Sequence, residues 1–570
     1  MKRFSGDISI VLGGAAGQGV QTVEALLVSV LKREGYHVFA TKEYMSRIRG
    51  GSNSTEIRIT NKRRASFIER IDLLFALDKD VLPHLAHRIG KDTIVLGERE
   101  KVCTVTECPV VNVPFTQFAN ELGNPIYTST VAVGIVLGML EADLSVLQSY
   151  LTERFTRKGE EVVKKNLEAA EKGYAFGAHI AYDAGIEVAI TRHPALKDTL
   201  LLDGVTALGL GTLSAGCNYI SSYPMSPGTG LLTFLAEQGK SFGVVVDQAE
   251  DEIAAINQGL GAWYAGARSI VTTSGGGFAL MTEGVSLAGI IETPIVIHIG
   301  MRPGPATGLP TRTEQADLNL ALYAGHGEFP RAIFTPGTPE ECFMVAQEAF
   351  RIADTYQIPV FILTDQYLLD SIVSVKEDDL KRLPITNHVV ETASDYARYT
   401  LTDDGISPRG VPGYGAGLVG IDSDEHDEAG HITESALVRQ AMHDKRLSKL
   451  AGIRSEALMP TSIGDVPHAD TVIVTWGSNR GVLEEALERL DREDVAGLHF
   501  AQVYPLPTKA KKLLSKKKVV VMENNAGGQF ANLLTLEYCL KISENILKYN
   551  GDPFSVEEVV KKLKKLSTDL

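Results

Sequence analysis

Polar side chains occupy four short loops between residues 221 and 317, and each loop follows an apolar run. The loops contain Tyr223, Glu250, Ser274 and Arg302. Hydroxyl groups, a carboxylate and a guanidinium can together bind a carboxylate or phosphate and move a proton. Because parallel sheets bind ligands at the carboxyl ends of their strands, we expect these loops to converge on one site.

The first two loops differ in what they indicate. SSYPMSPGTG (residues 221–230) combines prolines, glycines and hydroxyl groups, and alone it predicts only a rigid turn. In DQAEDEIAAINQGLGAWYAGA (residues 247–267), Glu250, Asp251 and Glu252 fall in the first turn of a helix predicted to begin near Glu250. The helix dipole favours carboxylates there, so the sequence is consistent with either a stabilised helix start or a functional acid.

The other two loops carry flexible backbone and donors. TTSGGGFALMTEG (residues 272–284) has three consecutive glycines at the end of a predicted strand, which brings backbone into the expected crevice. RPGPATGLPTRTEQAD (residues 302–317) supplies Arg302, Thr307, Thr311 and Arg312 as donors for a carboxylate or phosphate.

A separate glycine loop, GGAAGQG (residues 13–19), lies between a predicted strand and helix, where backbone amides favour an anion. Its glycine order reverses the dinucleotide fingerprint, and the expected acidic residue about 20 positions later is missing, which argues against nicotinamide binding. A tight turn explains the loop equally well. Arg47 and Arg49 follow in KEYMSRIRGGSNS and are consistent with an anion contact or with solvated side chains.

Strand and helix patterns alternate in three blocks, which predicts an α/β protein with mostly parallel sheets. The chain of 570 residues is too long for one core. We expect α/β domains at residues 1–190, 195–375 and 466–570. Residues 376–465 read as a linker or excursion, and the loop DSDEHDEAGH within them reads as an acidic surface hairpin rather than a metal site.

Composition excludes several classes of protein. The net charge of −15 argues against nucleic acid as a partner. The five cysteines form no CxxC pair, so we predict no zinc or iron-sulfur site on this chain. No run approaches the roughly 20 apolar residues of a membrane span. The segment MKRFSGDISIVLGG reads as a first strand rather than a signal peptide, which predicts a cytoplasmic location.

The motifs together resemble a known family. SYPMSPGTG, DQAEDEIAAINQGLGAWYAGA, TTSGGGFALMTEG and RPGPATGLPTRTEQAD resemble the pyrimidine-binding domain of the α subunit of 2-oxoacid:ferredoxin oxidoreductases. GGAAGQGVQT and SRIRGGSN resemble the γ module of these enzymes, here fused ahead of the α module. VYPLP and VVVMENNAGGQF resemble the C-terminal domain of the α subunit. The resemblance covers nearly the whole chain and implies a transketolase-like thiamine diphosphate domain at residues 195–375.

The resemblance implies oxidative decarboxylation of a 2-oxoacid with coenzyme A, giving acyl-CoA and CO2 and reducing ferredoxin. The family pattern Q-x-E assigns the glutamate at the aminopyrimidine ring to Glu250, with Glu252 as the alternative because predicted helix starts vary by a few residues. The implied substrate contacts are Tyr223, Ser226, Arg302 and Thr311. The implied cofactor contacts are Pro224, Gln248, Ser274 and Gly275. The implied coenzyme A contacts are Gly17, Gly19, Arg47 and Arg49.

Absent motifs imply a partner. The family's diphosphate and magnesium module is marked by Gly-Asp-Gly, which does not occur in this sequence. The resemblance therefore implies a β subunit that holds the diphosphate, Mg²⁺ and a 4Fe-4S cluster, in a dimer of αβ heterodimers, without which this chain is inactive.

The fused arrangement resembles the 2-oxoglutarate branch of the family. Met225, Ser226 and Gly228 replace the Ile, Thr and Ser of the family's substrate loop, so pyruvate, branched-chain 2-oxoacids and indolepyruvate stay open. A nucleotide-dependent dehydrogenase and a non-catalytic scaffold subunit are the alternatives from other classes.

Overall fold

A computed structural model describes residues 2–45, 50–103 and 110–566. The chain forms two compact units. The first comprises Met1–Leu202 with Asp370–Glu377, and the second comprises Asp203–Leu369 with Asp378–Leu570. The predicted pyrimidine-binding and C-terminal segments therefore share one unit, which contains two sheets. Within the described ranges, every helix is too short or too polar to cross a bilayer.

The first unit contains a mixed sheet of eight strands rather than a mostly parallel one. The predicted strand ISIVLG lies within the central strand Asp7–Ala16, which is parallel to Leu73–Ala76 but antiparallel to Gly50–Thr60. In sheet order the strands are Val110–Asn112, Ile94–Gly97, Leu73–Ala76, Asp7–Ala16, Gly50–Thr60, His37–Glu43, Ile372–Val375 and Leu200–Leu202. A separate parallel pair joins Lys2–Ser5 to Ile186–Ala189.

Seven α-helices accompany this sheet in the described part of the first unit: Val20–Arg33, Val81–His84, Arg99–Val102, Phe115–Leu122, Thr128–Met139, Leu144–Phe155 and Glu160–Ala184. The first of these is the helix predicted after the glycine loop. Glycines let Thr128–Met139 and Glu160–Ala184 approach backbone to backbone, because a Cβ atom at Gly173 or Gly177 would collide with a carbonyl oxygen of the facing helix. Apolar residues of both helices pack together in the core of this unit.

The second unit is built around a sheet of seven strands. Six are parallel, short and mostly apolar, as expected of strands covered on both faces. In sheet order the strands are Val245–Gln248, Tyr219–Ser222, Ser269–Thr273, Ile295–Met301, Pro359–Asp365, Ala332–Phe334 and the antiparallel Gln502–Tyr504.

A further sheet of five strands belongs to the C-terminal part of this unit. Its strands, in order, are Thr461–Ile463, Val495–Phe500, Thr471–Trp476, Lys518–Glu523 and Glu544–Leu547, of which the first is antiparallel. The α-helices of the second unit are Gly204–Ser214, Thr229–Phe242, Glu252–Tyr264, Gly275–Phe278, Thr282–Ile290, Leu318–Leu322, Pro339–Tyr356, Ala436–Ser455, Asn479–Leu490, Lys511–Leu514, Gln529–Tyr538 and Val556–Leu563. The helix Gln366–Asp370 ends where the chain passes into the first unit.

Residues 380–435 form an irregular excursion that packs onto the second unit. Tyr399 is fully buried, and its hydroxyl donates to the carbonyl oxygen of Ile291 at 3.2 Å. The ring of His426, from the acidic loop, stacks on Tyr399 with centroids 4.0 Å apart. The acidic loop is therefore anchored by a buried histidine, and the excursion contributes to the interior of the unit.

Gly177→Ala is expected to lower the free energy of unfolding of the first unit by about 1–3 kcal/mol, because its methyl group would collide with Ile135 O. Gly261→Ala is the matched control. Gly261 lies in the helix Glu252–Tyr264 with nothing within 4 Å of its Cβ position, so alanine should stabilise this helix by about 0.5–1 kcal/mol. Hydrogen exchange of both helices in the two variants measures these effects, and equal protection of Thr128–Met139 in both would contradict the packing argument.

Candidate active site

Four neighbouring parallel strands bring the four polar loops to one edge of the second unit's sheet. Tyr219–Ser222 lies between Val245–Gln248 and Ser269–Thr273, and Ile295–Met301 follows. All three pairings are parallel and in close register, so the loops after these strands emerge side by side. The convergence expected from the sequence is therefore present in the fold.

The loop after Tyr219–Ser222 is fastened to the neighbouring strand. Ser222 Oγ donates to Thr272 O at 2.6 Å, and Thr272 Oγ1 donates to Gly228 O at 3.0 Å. A Cβ atom at Gly228 would lie 2.6 Å from the carbonyl oxygen of Thr273. Glycine at this position thus allows the loop to lie directly on the strand.

Arg302 joins the first loop to the fourth. Its Nη1 donates to Ser226 O at 2.7 Å, so two of the predicted substrate contacts meet directly. Tyr223 and the side chain of Ser226 are exposed at the rim, while Pro224 and Thr311 are half-buried. The structure brings Ser226 and Arg302 together and leaves Thr311 further along the fourth loop.

The two candidate glutamates occupy different environments. The helix begins at Glu252, and its N-cap Asp251 accepts a hydrogen bond from Ala254 N at 2.7 Å. Glu250 and Gln248 are exposed before this helix, whereas Glu252 is only 3% exposed. Glu252 Oε1 is buried and has no hydrogen-bond partner among the described residues. Burial, followed by the charge of Asp251, raises the pKa of Glu252.

The three consecutive glycines lie against buried carboxylates. A Cβ atom at Gly277 would collide with Glu252 Oε1 and Thr273 Oγ1, and one at Gly275 would collide with the carboxylate of Asp317. Ser274 is fully buried, and its Oγ has no partner within the described ranges. The glycines therefore leave room for two acidic side chains, which explains why the sequence has glycine at these positions.

Asp317 was not identified by the sequence analysis, although it ends the fourth loop. Its Oδ2 is buried without a hydrogen-bond partner in the described part of the chain. Burial raises the pKa of Asp317 to about 7, the charge of Glu314 adds to this shift, and Arg302 opposes it. The only sequence signal is its position at the end of a loop that begins with a conspicuous arginine.

A buried histidine links the strand ends beneath the site. His298 Nδ1 lies 2.7 Å from Thr272 Oγ1, and its Nε2 lies 2.8 Å from Thr364 Oγ1. Burial lowers the pKa of His298 to about 3, so the imidazole is neutral. This side chain spans three adjacent strands and supports the loops above them.

The predicted coenzyme A contacts lie in the first unit. Gly17 and Gly19 have φ angles of 92° and 82°, and Gly19 is the N-cap of the helix Val20–Arg33. A Cβ atom at Gly19 would lie 2.5 Å from Ser129 Oγ. Arg47 and Arg49 lie outside the described residues, so these contacts stay predictions. The described residues contain no group of three or more His, Cys, Asp or Glu side chains arranged to hold a metal ion.

The free energy of unfolding of the Asp317→Asn variant, relative to the wild type, is expected to increase as the pH rises from about 4.5 to 8. The folded chain keeps the Asp317 proton up to about pH 7, whereas an unfolded aspartate releases it near pH 4. The folded state thus binds the extra proton within this window, and its stability falls as the pH rises. Urea unfolding should show the difference between variant and wild type growing by about 1–3 kcal/mol; parallel pH profiles would contradict the assignment.

Known proteins are similar to this chain in both sequence and fold. Residues 9–176 match the family model of pyruvate ferredoxin/flavodoxin oxidoreductase, and residues 210–445 match that of its thiamine diphosphate-binding domain. The chain is 32% identical to the 2-oxoacid:ferredoxin oxidoreductase subunit alpha of a Sulfolobus species, over 99% of this chain and 97% of that protein. It is 33% identical to the 2-oxoglutarate oxidoreductase subunit KorA of Mycobacterium tuberculosis, over 75% of this chain and 66% of that protein.

A solved structure covers the chain almost completely. The 2-oxoglutarate:ferredoxin oxidoreductase of Magnetococcus marinus, with 2-oxoglutarate, coenzyme A and succinyl-CoA bound, has a TM-score of 0.91 and 29% identity. The alignment spans 99% of this chain and 100% of that one. The resemblance carried by the sequence motifs is confirmed: the chain belongs to the α-subunit family of the 2-oxoacid:ferredoxin oxidoreductases, which are enzymes.

Proposed function

We propose that this chain is the α subunit of a thiamine diphosphate-dependent 2-oxoacid:ferredoxin oxidoreductase. With a β subunit it decarboxylates a 2-oxoacid, transfers the acyl group to coenzyme A and reduces ferredoxin. The observation that carries this proposal is the buried Oε1 atom of Glu252, which has no hydrogen-bond partner among the described residues and lies against the glycine turn at the same sheet edge where Arg302 meets Ser226.

The residues present fit the pyrimidine half of thiamine diphosphate. Buried polar atoms in proteins are nearly always hydrogen-bonded, yet Glu252 Oε1 and Ser274 Oγ have no partner among the described residues. A bound ring with polar nitrogen atoms would satisfy both. When bound, the cofactor supplies an acidic carbon and an electron sink for decarboxylation.

Glu252 is the proton-handling residue in this proposal, in place of Glu250. Burial raises the pKa of its carboxyl group, which suits Glu252 to exchange a proton with a ring nitrogen of the pyrimidine. Asp251 fixes the start of the helix through its cap, and Gly277 leaves the space that the carboxylate occupies. Glu250 is exposed on the preceding bend of this chain.

Arg302 is the proposed carboxylate contact. One of its N–H groups donates to Ser226 O and so fixes the orientation of the guanidinium, whose planar set of donors suits a carboxylate. Tyr223 and Thr311 would line the same entrance, and Pro224 and Gly275 would shape the cofactor side. The carboxyl group of Asp317 lies against Gly275.

The remaining partners rest on sequence and relatives. The sequence lacks Gly-Asp-Gly and a CxxC pair, which supports a β subunit carrying the diphosphate site, Mg²⁺ and a 4Fe-4S cluster, in a dimer of αβ heterodimers. Coenzyme A would contact the first unit at Gly17, Gly19, Arg47 or Arg49. The names of the M. tuberculosis and M. marinus proteins support 2-oxoglutarate as the substrate.

Glu252→Gln is expected to lower the kcat of the reconstituted αβ complex by about 100-fold or more, because glutamine cannot exchange the proton. Glu250→Gln is the matched control and should change kcat by less than about two-fold, because in this proposal Glu252 and not Glu250 exchanges the proton. The assay is 2-oxoacid-dependent reduction of ferredoxin at saturating coenzyme A and thiamine diphosphate. The reverse pattern would return the role to Glu250, and full activity of both variants would refute it for either residue.

Arg302→Leu is expected to raise the KM for the 2-oxoacid by about 100-fold, with Arg302→Lys intermediate, because a bidentate contact is lost. Thiamine diphosphate affinity should not change. Arg312→Leu, in the same loop, removes an ion pair with Asp552 at 3.6 Å and serves as the control. The wild-type complex should give its highest kcat/KM with 2-oxoglutarate, compared with pyruvate, 2-oxoisovalerate and indolepyruvate; a preference for another acid would overturn the substrate assignment.

A further inference from the structure

We propose that Gln315 positions the loop of residues 302–317, here called the substrate-binding loop. Its hydrogen bonds clamp this loop onto the C-terminal sheet. This inference rests on the proposed function, in which Arg302 at the start of that loop contacts the 2-oxoacid. Gln315 touches neither substrate nor cofactor in this proposal, so it is a positioning residue. Its partners belong to the segment VVVMENNAGGQF and to the end of the strand Thr471–Trp476, which have no other assigned role.

The side chain of Gln315 is fully buried, and all its hydrogen-bonding atoms are used. Its Nε2 donates to Trp476 O at 2.8 Å. Its Oε1 accepts from Asn479 Nδ2 at 3.0 Å and from Asn524 N at 2.8 Å. A satisfied buried amide is costly to disturb, because each lost partner leaves a buried polar atom unpaired.

The backbone of Gln315 is held by the same segment. Its amide donates to Asn524 O at 2.7 Å, and its carbonyl accepts from Asn525 Nδ2 at 3.2 Å. Asn525 Nδ2 also donates to Glu523 Oε2 at 2.7 Å, and the Glu523 carboxylate accepts from Phe530 N at 3.0 Å. The buried glutamate thus orients the asparagine that grips the loop.

Gln529 forms a second hold just beyond Gln315. Its Nε2 donates to Ala316 O and its Oε1 accepts from Asn319 N, each at 2.8 Å. On the other side, Thr313 N donates to Gly551 O at 3.0 Å. Residues 313–319 are therefore bound to the C-terminal sheet on both sides of Gln315.

The clamp acts where the loop has little other support. Residues 304–309, between Arg302 and the clamp, are all exposed. Arg302 holds the first end of the loop against Ser226, and Asp317, two residues after Gln315, lies against Gly275. Fixing Gln315 thus constrains the path of the chain between Arg302, which contacts Ser226, and Asp317, which lies against Gly275.

Gln315→Leu in the αβ complex is expected to raise the KM for the 2-oxoacid by about ten-fold with a smaller change in kcat, because small displacements of a binding group weaken its contacts strongly. Gln347→Leu is the matched control. Gln347 is also buried in the second unit and bridges a helix to a loop, through Phe343 O, Lys381 O and Leu383 N, but it does not contact the substrate-binding loop. A purely structural role for Gln315 predicts equal losses of stability and unchanged KM in both variants.

A double-mutant cycle tests whether Gln315 acts through Arg302. In the Arg302→Leu background, Gln315→Leu should add less than about two-fold to KM, because the contact it positions is already gone. A full multiplicative effect would overturn the proposal.

Gln529→Leu provides an independent test if Gln315→Leu does not assemble. Gln529 is half-buried, and the Gln529→Leu variant should raise the KM for the 2-oxoacid by about three-fold. An unchanged KM in this variant would overturn the clamp. An unchanged KM in Arg302→Leu itself would instead refute the proposed substrate contact, so the two failures are distinguishable.

Discussion

The close approach of two carboxylates to the Gly275–Gly277 turn is the constraint on which the site depends. Glu252 arrives from a helix start and Asp317 from the end of a long loop, and both occupy space that any Cβ atom in the turn would fill. The turn can lie there because it follows a fully buried parallel strand whose neighbours carry the other loops. The acidic side chains around the turn can therefore take their positions only because the residues of the turn are small.

This arrangement is costly in the absence of a ligand. Glu252 and Asp317 each have a buried carboxylate oxygen without a partner among the described residues, and burial raises the pKa of both. Burying a polar atom unpaired costs roughly 1–3 kcal/mol, and protonation lowers the cost by removing the charge. A stable chain tolerates this cost where a ligand restores the missing hydrogen bonds, and active sites are where such groups concentrate.

The rest of the second unit supplies the rigidity that holds these groups in place. His298 connects three strands below the loops through hydroxyl groups on either side. Behind the sheet, Glu292 is buried between Lys445 and Lys449 at 2.6 and 2.5 Å, and the two lysines hold its pKa at about 2. This cluster connects the helix Ala436–Ser455, and with it the preceding excursion, to the C-terminal end of the helix Thr282–Ile290. A segment that reads as a linker is thus part of the support.

The sequence by itself determined the α/β class, the main strands of the two large sheets, and the four loops that form the site. These follow from local patterns: apolar strands, glycine and proline turns, and polar residues at strand ends. The mixed order of the first sheet was not predictable, because strands such as Ile372–Val375 and Leu200–Leu202 pair with partners far away in the chain.

Only the tertiary structure distinguishes the environments of Glu250 and Glu252. Two carboxylates two residues apart look alike in a sequence, but the cap at Asp251 and the space at Gly277 bury one and leave the other in solvent. Asp317 and Gln315 were missed for the same reason. Residue type and spacing set which groups a chain can offer, whereas burial and unpaired hydrogen-bonding atoms arise only when distant segments meet.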